Sequence, residues 1–404
     1  MKKIFFIPFT LLVALFLGAC ASNLVEPDGG SSMYEGEDGG IGNGSGGGNE
    51  QGRAGVVTAG EWRDLDNWLF WSNLMTTSQP DQTGADYTAM SDYWKLYTNN
   101  RVAVRVTDEN GAPQKDVPVT LQSHPAEGNP QTLFAARTDN RGEVNLWIGL
   151  TQRQQAIDTS AIDLVMNNTI AGHPAVTHWG DEVKWNICTA AKSATANIDI
   201  AFIVDATGSM YDEIAFLKAD LTNIIDSVGG CHADANIRTA ALFYRDEGDD
   251  YLTRVSDFST DLSVTTAFIE EQTADGGGDY PEAVHTALSV GLQKLSWRED
   301  DCMRLAFMLL DAPPHHENMV IESIQQSIPL YARTGIRIIP VAASGVDKNT
   351  EFFLRFIAIA TDGTYVFITD DSGIGGEHLV ATVGEYKVEL LNALIVRLIN
   401  QYME

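Results

Sequence analysis

The second half of the chain alternates short apolar runs with longer segments whose apolar residues recur at helical spacing. Strand-like runs lie at 198–204, 237–244, 251–258, 304–310, 336–343 and 364–369. Helical patterns lie between most of them, at 210–227, 281–295, 317–333, 348–360 and 383–402. Runs such as IDIAFIV and RLAFMLL are apolar almost throughout, which is typical of parallel strands covered on both faces. We therefore predict an α/β fold over 197–402, with a doubly wound, mostly parallel sheet of the Rossmann type.

Between residues 101 and 150, apolar residues recur at every second position instead. RVAVRV and DVPVTLQ alternate apolar and polar residues, and TDENGAP between them supplies turn residues. FAARTDNRGEVNLWIGL adds two more strands around the turn formed by residues 139–142. The alternation predicts β-strands in front of the α/β domain; their pattern resembles that of a small β-sandwich, and we find no catalytic constellation in it.

An aromatic cluster precedes these strands, in EWRDLDNWLFWSNLM and YWKLY. In a helix, one face would carry the large side chains Trp62, Leu65, Trp68, Leu69 and Leu74. Phe70 and Trp71 would lie outside that face. The cluster could form an exposed aromatic platform or pack against the next domain. Packing is favoured because buried aromatic rings contribute large apolar areas. We assign 58–190 to one N-terminal unit that contains this segment and the sandwich.

The N-terminus has the form of an export signal. Lys2 and Lys3 precede an apolar run that is too short to span a bilayer and ends in small residues before Cys20. The sequence Leu17-Gly18-Ala19-Cys20 resembles the bacterial lipobox, which implies a signal peptide over 1–19, lipidation of Cys20 and anchoring in the outer membrane, on either its periplasmic or its surface face. The alternative is an ordinary signal peptide with an incidental cysteine. No second apolar run is long enough to span a membrane.

Residues 20–57 are predicted to be a flexible tether. The segment is Gly-rich and acidic, and its few apolar residues cannot offset the entropy lost on ordering. Such a tether would hold the folded part away from the membrane.

Charge and cysteine content exclude several classes of function. The chain has 26 Lys plus Arg against 55 Asp plus Glu, a formal net charge of −29, which excludes a partner as anionic as nucleic acid. Beyond Cys20 only Cys188, Cys231 and Cys302 remain, enough for one disulfide and an odd thiol. No C-x-x-C pair occurs, so neither a zinc site nor a thioredoxin-like site is expected.

Three small oxygen-bearing side chains follow the first strand of the α/β domain, at the edge where open α/β sheets bind ligands. Asp205, Thr207 and Ser209 stand at alternate positions in DATGSM, where the strand ends and a helix begins. Mg²⁺ prefers oxygen ligands of this kind. One carboxylate with two neutral hydroxyls leaves the ion electrophilic, so it would attract an acidic group from a partner.

The motif resembles the D-x-[ST]-G-S sequence of von Willebrand factor type A (VWA) domains. DGGGDYPEAVHTAL, FMLLDAPPH and LFYRDEGDDY fall where VWA domains place other loops at the same sheet edge. The resemblance implies a metal-ion-dependent adhesion site for Mg²⁺, or for Ca²⁺ or Mn²⁺, with Asp205, Thr207 and Ser209 as ligands and Asp311 bonding the ion directly or through water. The preceding strands likewise resemble an Ig-like β-sandwich of the carboxypeptidase-regulatory type.

The second loop departs from the VWA pattern, because many VWA domains have a threonine where this chain reads GGGDYPE. Asp279 could supply the missing oxygen and is our fifth metal-ligand prediction, with Thr273 as a weaker substitute. Alternatively Asp279 and Glu282 form a helix capping box. If Asp279 does bind, the site holds three carboxylates, attracts an acidic ligand less strongly and leans toward a stabilising or Ca²⁺ site. Asp246 is expected to be a charge-paired residue at a strand end.

These features favour a lipid-anchored binding module of the cell envelope that engages, through its cation, a protein ligand presenting an acidic residue. The alternatives are a structural component of an envelope or secretion assembly with a stabilising metal and, less favoured, a metal-dependent hydrolase. We expect no enzyme: a haloacid dehalogenase-like phosphatase needs a second aspartate where Thr207 stands, and HHENM lacks the second histidine of HExxH. Neither a G-x-S-x-G elbow nor a P-loop occurs, so no residue is predicted to be catalytic.

Overall fold

The computed structural model describes residues 53–77, 84–124, 128–153, 157–190, 197–231 and 235–404. The signal peptide predicted over 1–19, the lipidation residue Cys20 and nearly all of the tether predicted over 20–57 lie outside the described residues. Val57 is already buried to 1% exposure, so the folded part begins at or before that residue.

The N-terminal half contains short helices followed by short strands. Its elements are β1 (Thr58–Trp62), α1 (Trp68–Thr76), α2 (Tyr87–Trp94), β2 (Asn100–Thr107), β3 (Pro118–Ser123), β4 (Gln131–Arg137), β5 (Glu143–Trp147), β6 (Ile162–Met166), β7 (Thr169–Gly172), β8 (Thr177–His178) and β9 (Trp185–Thr189).

Strands β2 to β9 form two four-stranded sheets. One has the order β5-β2-β8, with β9 paired in parallel to β2, and the other has the order β4-β3-β6-β7. All other pairings in these sheets are antiparallel. The alternating valines of β2 (Val102, Val104 and Val106) share one apolar core with Val119 and Leu121 of β3. The predicted strands are therefore confirmed as two mostly antiparallel sheets, while their Ig-like character stays a prediction.

The C-terminal half alternates strands with helices. Its elements are β10 (Asn197–Asp205), α3 (Tyr211–Cys231), β11 (Asn236–Tyr244), β12 (Thr253–Ser259), α4 (Leu262–Glu270), α5 (Val284–Gln293), β13 (Cys302–Leu310), α6 (Asn318–Thr334), β14 (Ile336–Ala342), α7 (Lys348–Ala360), β15 (Tyr365–Ile368), β16 (Glu389–Leu390) and α8 (Leu391–Met403).

One eight-stranded sheet, of order β12-β11-β10-β13-β14-β15-β1-β16, organises this half. The neighbours from β11 to β15 run parallel, which confirms the α/β class and the largely parallel sheet. Strand β10 shows the two-sided burial directly. Ile200 and Phe202 pack in one core with α3 and α8, while Ile203 points to the other face and the core that contains Leu288 of α5.

Four details differ from the sequence pattern. Strand β12 pairs antiparallel with β11, so the sheet is mixed. Helix α4 lies where the pattern predicts none, and the helix expected from 383 begins at Leu391. Strand β1, from the segment assigned to the N-terminal unit, pairs with β15 in the large sheet. Its sequence TAGEW has no apolar run, so hydrophobic periodicity could not predict it. Backbone hydrogen bonds to the distant strand β15 place it in the sheet.

The aromatic segment packs against the α/β domain and forms no exposed platform. Trp71 stacks on Phe352 of α7 at 5.8 Å between ring centroids, and the Trp94 indole N–H donates to Asn349 Oδ1 at 3.0 Å. The predicted helical face was wrong in part: Leu69 is 48% exposed and Trp71 is fully buried. Helix α1 begins only at Trp68, so Trp62 and Leu65 do not set its phase.

Two further predictions can be compared with the described residues. No helix within these ranges combines the length and the apolar character that crossing a membrane requires. Cys188 and Cys302 are both buried free thiols, so the disulfide that composition permits does not join these two. The Cys231 side chain lies outside what is described.

Candidate metal centre

The first loop brings Asp205, Thr207 and Ser209 together. Asp205 Oδ1 accepts hydrogen bonds from the Thr207 amide at 2.9 Å and the Thr207 hydroxyl at 2.7 Å. The Thr207 and Ser209 hydroxyl oxygens lie 3.2 Å apart. Asp205 and Thr207 are fully buried, while Ser209 is exposed. The cluster therefore faces solvent on the Ser209 side.

Asp311 reaches the same point from the loop that follows the neighbouring strand β13, which we call the third loop. Val204 of β10 is in register with Leu309 of β13, so the residues that follow these parallel strands meet at one edge of the sheet. Asp311 is 4% exposed, and the Ser209 side chain hydrogen bonds to it. Four of the five residues predicted as ligands thus lie together.

The two carboxylates are close enough to perturb each other. Burial and the neighbouring Asp311 raise the pKa of Asp205 to about 7. Burial, opposed by the Ser209 hydrogen bond and reinforced by Glu213, raises the pKa of Asp311 to about 6. Buried like charges favour protonation unless a cation compensates them.

Asp279 and Glu282 of the second loop occupy different environments. Asp279 is exposed, whereas Glu282 is 3% exposed. Helix α5 begins at Val284 with Ala283 as its N-cap residue and no side-chain cap, so the capping-box alternative is wrong. The flanking Pro281 and Ala283-Val284 predict that Glu282 belongs to the following helix. In the structure it is a loop residue two positions before α5.

Glu282 is the residue that sequence reasoning missed. Burial raises its pKa to about 9, with Asp205, Asp246, Asp311 and Asp249 as further causes in that order. A Cβ built on Gly277 would lie 3.0 Å from Glu282 Oε1 and 3.4 Å from Thr207 Cβ, which places this carboxylate beside the first loop.

Backbone contacts hold the three loops together. The Gly208 amide donates to the Gly276 carbonyl at 3.1 Å, and the Glu282 amide donates to the Pro313 carbonyl at 2.9 Å. Gly276 adopts a left-handed φ of 80°, and a Cβ there would lie 2.4 Å from the Asp249 carboxylate. Only glycine fits this position.

Several carboxylate oxygens of the cluster lack a partner among the described residues. They are Asp205 Oδ2, Asp311 Oδ1 and Glu282 Oε2, and the buried Tyr244 hydroxyl lies beside the Asp205 carboxylate. Within the same ranges, no group of three or more His, Cys, Asp or Glu side chains is arranged to hold a metal ion. The arrangement is instead a mixed one, two carboxylates with two hydroxyls and Glu282 behind them. Its all-oxygen donor set suits Mg²⁺ or Ca²⁺.

The other polar residues near the third loop have partners. Asp246 Oδ1 lies 2.8 Å from His315 Nε2, so Asp246 has a histidine as its polar partner, and the contact is an ion pair when that histidine is protonated. The His316 ring stacks on Tyr93 at 3.5 Å between centroids. Thr273 is exposed, and its carbonyl accepts a hydrogen bond from Arg245.

A groove of about 770 Å³ opens beside Ser209 and Asp311 and is walled by residues 376–380. His378 holds this wall, with its ring nitrogens 3.1 Å from Glu213 Oε1 and 2.8 Å from Asp370 Oδ1. Burial lowers the pKa of His378, but the hydrogen bonds to these two carboxylates outweigh it and raise the value. Val380 on the wall is 77% exposed.

A largely parallel α/β sheet has an Asp-Thr-Ser loop at the end of β10 and an aspartate after β13, its neighbour in the sheet, which is the arrangement that the sequence resemblance predicts. Residues 199–351 match the family model described as von Willebrand factor A domain. The chain therefore contains a VWA domain over these residues.

Two curated proteins are similar over part of the chain. An ariadne-like RING finger protein of Acanthamoeba polyphaga mimivirus is 31% identical over 133 residues, 33% of this chain and 13% of that protein. The alpha-protein kinase vwkA of Dictyostelium discoideum is 26% identical over 179 residues, 44% of this chain and 28% of that protein. The chain thus spans less than a third of the length of these relatives.

Two solved structures show a likeness at 13% identity. BatB, a conserved hypothetical protein from Bacteroides thetaiotaomicron, superimposes with a TM-score of 0.35. An aerotolerance-related membrane protein from Bacteroides fragilis, with multiple mutations to serines, superimposes with a TM-score of 0.33. Each likeness covers 51% of this chain and 98% of the other chain.

Proposed function

We propose that the VWA domain binds a divalent cation, Mg²⁺ or alternatively Ca²⁺ or Mn²⁺, and mediates protein–protein interaction through it. The observation that carries the proposal is the set of buried carboxylate oxygens on Asp205, Asp311 and Glu282 that have no partner in the described structure. Leaving such oxygens buried and unpaired costs free energy. A cation at this edge of the sheet would remove that cost.

Asp205, Thr207 and Ser209 would hold the ion from the first loop, and Asp311 from the third. The bound ion would supply an electrophilic centre for a carboxylate of a partner. Ser209, the exposed member of the cluster, gives the partner access. Asp279 is exposed on the second loop, and Glu282, buried behind the first loop, would supply the second loop's carboxylate in its place.

The partner's chemistry follows from charge. The chain carries a formal net charge of −29, so a generally acidic partner would be repelled. The groove beside the site is bounded by Glu377 and by the exposed Val380. We therefore assign a protein ligand that presents one Asp or Glu among neutral, apolar or basic residues, and no nucleic acid.

The module is proposed to act on the cell envelope, held to the outer membrane by a lipid at Cys20. The lipobox-like sequence supports this part of the proposal. Replacing Cys20 by Ser should move the chain from the membrane fraction to the soluble fraction. Retention of the Cys20→Ser chain on membranes would refute the anchor and leave the cation site untouched.

The second candidate is a structural role in an envelope or secretion assembly, with a metal that stabilises the domain. Glu282 favours it, because a third buried carboxylate satisfies more of the ion's charge and leaves less attraction for a partner's acid. Neither role assigns chemistry to the chain, and we propose no enzymatic activity.

Cation binding and partner capture separate the two roles. Calorimetry with Mg²⁺ on the full chain and on Asp205→Asn tests the site, and capture of envelope proteins with and without EDTA tests the interaction. Adhesion predicts that capture fails both in EDTA and with Asp205→Asn. If Mg²⁺ binds but capture is unaffected by either change, the structural role gains. If Mg²⁺ does not bind, the proposal fails.

A further inference from the structure

Arg245 joins the first and second loops of the cation site without pointing at the site itself. It directly follows β11 and is 5% exposed. Its Nε donates to the Ala206 carbonyl at 3.0 Å, and its Nη2 donates to the Thr273 carbonyl at 2.8 Å. One planar guanidinium thus bridges two chain segments that local sequence does not connect.

The two carbonyls, of Ala206 and Thr273, lie in the chain segments that carry the proposed metal ligands. Ala206 lies between Asp205 and Thr207, so holding its carbonyl orients the Ala206–Thr207 peptide unit, whose N–H donates to Asp205 Oδ1 at 2.9 Å. The same carbonyl accepts from the Asp275 amide at 3.1 Å, and Thr273 begins the run that leads through the glycines to Glu282. The arrangement depends on a fork of N–H donors, which lysine lacks.

Tyr251 completes the arrangement. The Arg245 guanidinium carbon lies 4.4 Å from the centroid of the Tyr251 ring, and that of Arg254 lies 4.0 Å from it. Arg254 is exposed, and its side chain bonds to Gln272 at 3.4 Å, not to a loop carbonyl. Two arginines therefore stack on one ring, but only Arg245 holds the site's loops.

We infer that Arg245 is a positioning residue that sets the affinity of the site for its cation by holding the first and second loops in register. The inference rests on the proposed cation site. The direction of the change in cation affinity on removing Arg245 separates positioning from charge, because a positive charge near a bound cation repels that cation. Removing Arg245 would strengthen binding if charge dominated, and it weakens binding if positioning dominates.

The test measures Mg²⁺ affinity by calorimetry on the full chain and on Arg245→Gln, Arg245→Lys and Arg254→Gln. We expect both Arg245 variants to lose about tenfold or more in affinity, the range found when groups behind metal ligands are removed. Arg254→Gln should bind as the wild type does. The melting temperature in EDTA, compared between variants, shows whether the unliganded fold has changed.

Wild-type affinity in Arg245→Lys, or tighter binding by Arg245→Gln, would overturn the positioning role while leaving the cation site standing. Absence of Mg²⁺ binding by the wild type would overturn both. If an Arg245 variant fails to fold, Tyr251→Leu keeps the guanidinium but removes the ring on which it stacks. That variant should weaken Mg²⁺ binding in the same direction, and unchanged binding there also contradicts the inference.

Discussion

The Glu282 amide donates to the Pro313 carbonyl at 2.9 Å, which ties the second loop to the third loop two residues beyond Asp311. A parallel bridge pairs Glu282 with Pro314 in the same place. This contact turns the Glu282 side chain into the carboxylate cluster, while Asp279 stays in solvent. The loop that resembles the VWA second loop therefore presents a different acid from the one its sequence suggests.

Glu282→Gln should weaken Mg²⁺ binding more than Asp279→Asn does. The amide keeps the shape of Glu282 but removes a carboxyl group beside Thr207 that could ionise when a cation binds. We expect a loss of about tenfold, or about 1.4 kcal/mol, measured by calorimetry. Asp279→Asn is the matched control on the same loop, and a larger loss from Asp279→Asn would show that Asp279 is the loop's ligand.

Divalent cation should stabilise the chain against heat. A ligand that binds only the folded state at one hundred times its Kd adds about 2.7 kcal/mol to the free energy of unfolding. We expect Mg²⁺ to raise the melting temperature relative to EDTA in scanning calorimetry, because it compensates the buried carboxylates. Asp311→Asn should lose most of that rise.

Glu109→Gln serves as the control for this stabilisation, since Glu109 is exposed in the turn between β2 and β3. The Mg²⁺-dependent rise should be unchanged in this variant. A rise of equal size in Asp311→Asn would mean that the cation binds elsewhere.

Asp64→Asn should be strongly destabilising, because Asp64 neutralises Arg355 inside the protein. Arg355 makes two bonds to this carboxylate, at 2.6 and 3.0 Å, and both side chains are buried. Without the Asp64 carboxylate the buried guanidinium is left with the longer ion-pair contact to Glu351, at 3.9 Å, and Glu351 already pairs with Lys348. Removing one partner of a buried pair costs about 3–5 kcal/mol. Urea denaturation measures this loss.

Asp92→Asn provides the comparison, since the Asp92–Arg153 pair is exposed on both sides. Exposed pairs of this kind contribute at most about 1 kcal/mol. Equal losses in Asp64→Asn and Asp92→Asn would show that the buried pair does not hold the N-terminal segment onto α7.

The free energy of unfolding should decrease as pH rises, because Asp220 of α3 ionises in the folded protein. Asp220 Oδ1 accepts from the Gly55 amide at 2.7 Å, Oδ2 has no partner in the described structure, and burial raises the pKa to about 7. The folded state therefore binds the proton more tightly than the unfolded state, whose ordinary pKa is 3.8. The resulting stabilisation is complete below that value and is lost as pH rises through about 7.

Asp220→Asn cannot ionise, so its melting temperature should fall less between pH 5 and pH 8 than that of the wild type, measured in the same buffers. Asp226→Asn, an exposed position on the same helix, should keep the wild-type slope. Identical slopes in all three chains would contradict this account of Asp220.

Most of the large sheet could be predicted from periodicity, because parallel strands buried on both faces are nearly continuous apolar runs. Strand β13 (CMRLAFMLL) is buried at all nine positions, and its length and flanking segments favour a strand over a helix. Strand β1 and helix α4 could not be predicted this way. Strand β1 is placed by hydrogen bonds to a strand some 300 residues away, and α4 has an exposed Val264 that breaks the pattern.

The sequence by itself determined the class of the α/β domain and the place of Asp205, Thr207 and Ser209 at its first strand end, because they follow a buried apolar run and short local contacts join each to the next. Asp205 and Thr207 bond to each other within three residues of chain. Only the tertiary structure decided that Glu282 and not Asp279 enters the carboxylate cluster, and that Arg245 joins the first two loops. These choices depend on which backbone groups meet across distant strand ends, and that information is carried by the packing of the whole sheet.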